Sequence, residues 1–287
     1  MTVLLLGGSG KIGTALRHAT TNRHVLFSPS SSELDCADFN ELDRIVDACQ
    51  PRAIINAVVF GSVDACENNP QRALKLNAFL PRHLARRCAK DGIHLIHFST
   101  DVVYSGLSNR APYREDDSPD PINTYGMTKY LGDIFIQEEA KNYHILRIGV
   151  LFGNNRKGHQ FFEKMVVRAK RGEALKAATD VVTSPTSAMD VAELVCALLE
   201  GACIYPPLLH AANSGSASLY DFLSYGLSCL NITAKVDPVL ASAFPSVARR
   251  SLATPLASNF IVRRPWQEAL LDYCQATLNA ISSAKDE

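Results

Sequence analysis

Short apolar runs recur through the first half of the chain, and each gives way to a stretch whose apolar positions repeat with helical spacing. The runs are residues 3–6, 25–27, 53–56, 95–98 and 145–148. Between them, residues 12–20, 39–49, 72–90 and 125–141 carry an apolar stripe and predict amphipathic helices. Runs with no polar alternation suit strands covered on both faces. Strands alternating with helices predict an α/β fold, a Rossmann-type doubly wound parallel sheet.

The pattern loosens after Arg147. Residues 154–158 read as a loop, 160–171 as a helix, 179–185 as an extended segment and 188–199 as a helix. Residues 208–211 are a candidate strand and 218–230 a helix. Residues 241–265, rich in Ser, Ala, Pro and Arg, read as irregular, and 267–281 as a closing helix before a frayed tail. This predicts a dinucleotide-binding domain, residues 1–148 with roughly 183–204, and a smaller C-terminal substrate-binding lobe, residues 149–182 and 205–287.

Composition narrows the function classes. The 287 residues are 47% hydrophobic and 20% charged, which is ordinary for a globular chain able to bury its own core. Lys+Arg and Asp+Glu are both 29, so nothing points to a nucleic acid or a membrane surface as partner. The eight cysteines form no C-x-x-C pair and no zinc-like spacing, and read as small hydrophobes in a reducing compartment. No apolar stretch approaches about 20 residues, and residues 3–6 are too short for a signal peptide. The expectation is a soluble cytoplasmic protein with no metal site.

The chemistry begins at Gly7-Gly-Ser-Gly10-Lys11-Ile12-Gly13, a G-x-x-G-x-x-G spacing directly after the first apolar run. Glycines there allow a tight turn, close approach of a pyrophosphate and close packing of helix on strand. The helix N-terminus then offers free amides to the phosphates. Sites selective for NAD place an acid after the second strand, to hold the ribose hydroxyls. This chain has Ser28-Pro-Ser-Ser-Ser32 instead, with Lys11, Arg17 and Arg23 as available charge. NADPH is therefore the expected cofactor, with NADH as the alternative. Asp38 precedes a predicted helix and suits its N-cap.

A second constellation follows. His97-Phe-Ser99-Thr100-Asp101 ends the fourth run, and Tyr125-Gly-Met-Thr-Lys129 opens a helix 25 residues beyond Thr100. Residues at i and i+4 share a helix face, so Tyr125 and Lys129 point together. An ammonium beside the phenol, together with a positive nicotinamide, favours the phenolate. Thr100 can hold the same carbonyl oxygen.

These motifs, in this order, resemble the extended short-chain dehydrogenase/reductase superfamily, and within it the dTDP-4-dehydrorhamnose reductase family. The resemblance runs almost end to end. It includes Pro51-Arg-Ala-Ile-Ile-Asn56-Ala57, Ser62-Val-Asp64-Ala-Cys-Glu67, Leu76-Asn77-Ala78, Asp180 through Ser184-Pro185-Thr186, and Ala248-Arg249-Arg250. It implies hydride transfer from NADPH to the carbon-4 ketone of a nucleotide-linked 4-keto-6-deoxy sugar. Tyr125 would donate the proton. Lys129 would bind the nicotinamide ribose and depress the tyrosine pKa, and Thr100 would orient the carbonyl. Gly7, Gly10, Lys11, Ile12 and Gly13 would form the phosphate loop, with Ser28 at the ribose and Asp38 and Phe39 near adenine. Val59, Phe60 and Gly61 would line the cofactor cleft, and Asp101 and Val150 would lie beside the sugar. The chain is compatible with a homodimer.

The departures from that family lie in its substrate half. Its R-T-S-W-V-Y stretch reads Arg147-Ile-Gly-Val150-Leu-Phe152 here, so Val150 replaces a sugar-contacting Trp. The Gln and Gly of its D-Q-x-G-x-P-T stretch are Val181 and Thr183, and the Pro after the double Arg is Ser251. Two other classes share the scaffold. One is a 4,6-dehydratase or epimerase; dehydratases of this type pair an Asp with a Glu after the catalytic Thr, whereas Val102 follows Asp101 here. A non-catalytic regulatory subunit, such as the beta subunit of methionine adenosyltransferase, would not need the intact Thr100, Tyr125 and Lys129.

Overall fold

Parallel strands form where the apolar runs lie. They are β1 (Thr2–Leu6), β2 (Val25–Phe27), β3 (Ala53–Asn56), β4 (His94–Thr100) and β5 (Tyr143–Ile148) in a computed structural model that describes residues 1–21, 23–107, 112–154, 161–202 and 204–283. The expected features at residues 155–158, Gln160, Cys203 and 284–287 lie outside the described residues. The short strands β6 (Leu151–Phe152), β7 (Leu175–Ala178), β8 (Val182–Thr183) and β9 (Thr186–Ser187) follow, then β10 (Leu208–His210), β11 (Ala217–Ser218) and β12 (Val236–Val239).

The main sheet runs β10-β5-β4-β3-β1-β2, all parallel. Its order reverses beside β1, the place where open α/β sheets bind ligands at their carboxyl edge. The sixth strand differs from expectation. Leu208–His210 falls in the stretch assigned to the lobe, yet it pairs with β5 and completes the sheet. A three-residue apolar run cannot announce its partner, and only the edge left open by β5 decides where it goes.

Helices cover both faces. Helix α1 (Lys11–Ala19) lies on one side with α8 (Ala188–Glu200), burying Ile12, Leu16, Val191 and Val195 against the sheet. The other side carries α2 (Phe39–Cys49), α5 (Leu80–Asp91) and α6 (Thr124–Glu139), which bury Leu42, Val46, Leu80, Leu84 and Ile136. Asp38 caps α2 as expected, accepting from the amides of Asn40 and Glu41. Between β3 and α5 the chain forms α3 (Val63–Asn68), α4 (Pro70–Leu74) and a π-helical turn, Lys75–Phe79; the one helix expected over 72–90 is thus α4 and α5 joined through a π turn, and α3 was not expected.

The lobe has its own core. Helices α7 (Phe161–Lys170), α9 (Leu219–Cys229) and α10 (Trp266–Ser283) contribute Phe162, Phe222, Leu223, Trp266 and Leu270, with Phe152 from β6. Beside it β7 and β12 pair in parallel. Polar clasps join lobe to sheet: Asp190 of α8 holds Arg264 at 2.7 and 2.8 Å and Asn213 at 2.6 Å. Among the described residues no helix is long and apolar enough to cross a membrane, and none of the seven described cysteines is in a disulfide.

Close approach of α6 to the π turn depends on Gly132, because a Cβ there would collide with the Asn77 carbonyl. The better helix propensity of alanine is worth about 1 kcal/mol. It is opposed by an overpacking cost of about 1–3 kcal/mol. Gly132→Ala is expected to be net destabilising, read as a lower denaturant midpoint with an unchanged slope.

Candidate active site

The glycine loop turns between β1 and α1. Gly7 has φ +82°, and a Cβ on it would sit 2.6 Å from the Ala57 carbonyl oxygen. Side chains at Gly8 and Gly13 would collide with Ser28 Oγ and with the Gly8 backbone respectively. Gly10 caps α1 without a side chain, so no side-chain oxygen occupies the first-turn amides. Beyond β2, the buried Ser28 Oγ has no hydrogen-bond partner. Arg17 lies beside it, its Nη2 3.5 Å from Ser28 O and its Nε 3.5 Å from Gly8 O. A side-chain-free cradle, open helix amides, and an orphaned hydroxyl next to a guanidinium fit a dinucleotide with a phosphate on its ribose.

Three expectations about this end need correction. The Lys11 ammonium is not free to add charge to a phosphate: it is buried against Glu163 (2.9 and 3.0 Å) and Leu151 O (2.9 Å), leaving only its backbone amide for the loop. Arg23 lies 3.7 Å from Glu200, away from the loop. The Phe39 ring is stacked on His83, with centroids 4.7 Å apart, and Lys75 Nζ lies 4.0 Å from its centre, so it is engaged by protein before any adenine arrives.

The candidate catalytic residues Thr100, Tyr125 and Lys129 come together at the carboxyl edge of β4. Asn123 caps α6 through Gly126 N (2.8 Å), and Glu67 of α3 accepts from the amide and hydroxyl of Thr124, both at 2.7 Å. The helix start that carries Tyr125 is thus held by two side chains. The Tyr125 phenol lies beside the Thr100 hydroxyl, which acts to lower its pKa. Thr100 also donates to Asp101 (3.1 Å) and accepts from Val102 N (3.2 Å). Lys129 lies fully inside, with Nζ 2.5 Å from Phe98 O and 3.1 Å from His97 Nε2.

The electrostatics differ from expectation at Tyr125. Burial pushes the phenol up to about 12, the Thr100 hydroxyl pulls the other way, and the nearby Asp101 carboxylate adds to the rise. Burial also acts on Lys129, bringing the lysine down to about 8. The site holds Tyr125 as a protonated phenol, the state a proton donor needs.

Asp101 is buried and fully engaged. Its oxygens accept from Thr100, from Thr183 of β8 (2.9 Å) and from Thr254 (2.7 Å). Burial raises its pKa and the three threonines oppose that. It anchors the site to the lobe, where the sequence suggested a sugar contact. Val150 is half-buried in the turn after β5, and its carbonyl accepts from Thr186 N at 2.8 Å. Val59 is exposed beyond β3, Phe60 N donates to Asn77 Oδ1 (2.9 Å), and Gly61 has φ +55°.

Several polar residues around this site were quoted in the sequence without a role. Asn77 bridges Phe60 N and Thr128 Oγ1. Arg147, buried in β5, bonds Asp133 (3.2 Å) and the Tyr104 hydroxyl (2.9 Å), while Ser99 donates to the same Asp133 oxygen (2.9 Å). Asp64 holds Arg250 at 2.5 Å and Ala248 N at 3.0 Å. A polar side chain inside an otherwise apolar parallel strand, as at Asn56, His97 and Arg147, is the signal that could have found them.

Residues 1–279 match the family model described as the RmlD substrate binding domain. The chain belongs to this family. It is 29% identical over 286 residues to a dTDP-4-dehydrorhamnose reductase of Mycolicibacterium smegmatis, covering 97% of this chain and 86% of that one. It is also 29% identical over 279 residues to a probable dTDP-4,6-dihydroxy-2-methyloxan-3-one 4-ketoreductase of Streptomyces antibioticus, covering 94% and 93%. The crystal structure of a Bacillus anthracis dTDP-4-dehydrorhamnose reductase in complex with NADP superimposes with a TM-score of 0.89, at 27% identity, over 96% of this chain and 99% of that one.

The raised Tyr125 pKa has a direct optical test. The phenolate absorbance of the free protein minus that of Tyr125→Phe is expected to stay flat below about pH 10, where an ordinary tyrosine is half ionised. A phenolate appearing near neutrality would mean that Lys129 controls the phenol after all.

Proposed function

We propose that this protein is an NADPH-dependent reductase of a nucleotide-linked 4-keto-6-deoxy sugar, working in deoxysugar biosynthesis. The observation that carries the proposal is the gathering of Thr100, Tyr125 and buried Lys129, the last two one helical turn apart, at the carboxyl edge of the sheet that also carries the glycine cradle. The family's relatives named as reductases and the NADP-bound neighbour support the same reading. The described cysteines, free of disulfides, suit a reducing compartment, and the cytoplasm is the proposed location.

The reduced dinucleotide, when bound, supplies the hydride. The chain's residues do the rest. The loop amides of α1 and the Arg17–Ser28 corner bind the phosphates, the latter selecting the extra ribose phosphate. The Thr100 hydroxyl orients the ketone oxygen. Tyr125, kept protonated by burial, gives its proton to that oxygen as the carbon becomes tetrahedral. Lys129 holds its place beside the nicotinamide ribose.

Substrate choice turns on Val150. Phe152 is the nearest aromatic in sequence that could replace the family's Trp, but it is 1% exposed and packed in the lobe core against Phe222 and Tyr273, with centroids 5.7 and 5.9 Å apart. It does not restore a flat face beside the sugar. A Val offers neither that face nor an N–H donor. The proposed substrate is a 4-keto sugar nucleotide other than, or in addition to, the dTDP-linked rhamnose precursor. The Streptomyces relative, named for a different ketone, supports such breadth within the family.

NADPH oxidation with a panel of 4-keto-6-deoxy sugar nucleotides tests the whole reading. Turnover is expected with at least one, and Tyr125→Phe should lower kcat about 100-fold or more while cofactor affinity persists. A strong kcat/KM preference for the rhamnose precursor would refute the altered specificity alone. In a separate titration, Arg17→Ala is expected to weaken NADPH about tenfold or more, as loss of a charged hydrogen bond does, and to leave NADH unchanged. Equal weakening of both would remove Arg17 from the phosphate site.

A further inference from the structure

Behind Lys129 lies a line of polar groups that the proposed chemistry does not use. It starts at a backbone amide. Val58 N–H donates to Asn56 Oδ1 at 3.2 Å, which fixes the orientation of that amide. Asn56 Nδ2 then faces His97 Nδ1 at 3.1 Å. An amide nitrogen only donates, so Nδ1 accepts. A neutral imidazole that accepts through Nδ1 carries its proton on Nε2. Burial holds His97 well below the ordinary histidine range, so the ring is neutral.

The protonated Nε2 points at Lys129 Nζ, 3.1 Å away. An ammonium has three donors and no acceptor, whereas an amine has a lone pair. With Lys129 also donating to Phe98 O at 2.5 Å, each donor in the line finds an acceptor only if Nζ is an amine. The line then runs one way: Val58, Asn56, His97, Lys129, Phe98.

We propose that Asn56 and His97 are positioning residues that set the charge of Lys129, favouring the neutral amine and allowing the ammonium only when the line reverses. Reversal turns the Asn56 amide over, moves the His97 proton to Nδ1, and leaves the Val58 amide without its acceptor. Val58 immediately precedes Val59, the first of the residues assigned to the cofactor cleft. The charge of Lys129 is thereby tied to the backbone of that wall.

The other groups around Lys129 do not replace this control. On its own helix, Asp133 favours the ammonium, but Arg147 of β5 and Ser99 of β4 share that carboxylate. Tyr125 is a protonated phenol, and Asp101 beyond it is held by three threonines. Cys66 of α3, near the phenol, is a buried thiol pushed up by burial. Burial itself acts in the same direction as the line.

The test uses the free, full-length protein. The inference rests on the proposed importance of Lys129, but both readouts are independent of turnover. Long-range proton–nitrogen spectra of histidine-labelled wild type should show His97 with its proton on Nε2. Lysine labelled at Cε should show Lys129, identified by its loss in Lys129→Met, titrating below the ordinary lysine range. In His97→Gln, whose amide oxygen can accept from an ammonium, that midpoint should rise by about one unit, tenfold in proton affinity. In Asn56→Asp the carboxylate can only accept, and the His97 proton should move to Nδ1. A wild-type His97 protonated on Nδ1 overturns the proposal, whether or not the variants fold. So does a folded His97→Gln with an unmoved Lys129 midpoint.

Discussion

A carboxylate taken out of water must be given hydrogen bonds by the protein, and much of the site's geometry follows from how Asp101 meets that demand. It sits at the end of the central strand β4 with only 6% of its surface exposed. Its donors come from Thr100 next door, Thr183 and Thr254. The last two arrive from pieces of chain 82 and 153 residues away. Leaving such a group short of partners would cost several kcal/mol. The strand end and the lobe are therefore fixed to each other, and the Thr100 hydroxyl that meets Tyr125 is fixed with them.

The same demand organises the layer beneath. A parallel sheet sealed by helices on both faces has no water to offer polar atoms. Asn56, His97 and Arg147, each in a strand, must then satisfy one another or the helix above. Arg147 and Ser99 converge on Asp133, and His97 meets Lys129, so α6 is held over the sheet by polar contacts as well as by Ile136. Glu67 and Asn123 hold its first turn. Helix α3 serves two regions at once, because Asp64 grips residues 248–250 while Glu67, three residues on, grips the first turn of α6.

The sequence carried the five strands, the glycine loop and the Thr100–Tyr125–Lys129 set, because each has a local signature: an apolar run, a glycine spacing, an i,i+4 pair. What it hid depends on distant partners. Lys11 reads as a phosphate ligand until Glu163, 152 residues on, takes its charge. Asp101 reads as a sugar contact until Thr183 and Thr254, far along the chain, surround it. The tyrosine pKa moved against expectation because burial is a property of the folded chain, whereas the nearby lysine is visible in the sequence. The π turn at 75–79 was invisible for a related reason: helical periodicity does not register one extra residue per turn when the apolar positions still face inward.

The sixth strand has a consequence for how the molecule is made. β10 pairs with β5, yet the end of β5 at Ile148 and the start of β10 at Leu208 are separated by the whole first part of the lobe. A chain emerging from the ribosome at roughly 5–20 residues per second displays β5 as a bare sheet edge for on the order of 3–12 seconds before its neighbour exists. An unpaired edge is a template for any other strand it meets. The nascent nucleotide-binding half therefore cannot close its sheet alone, and its safety during synthesis depends on a strand encoded beyond much of the lobe.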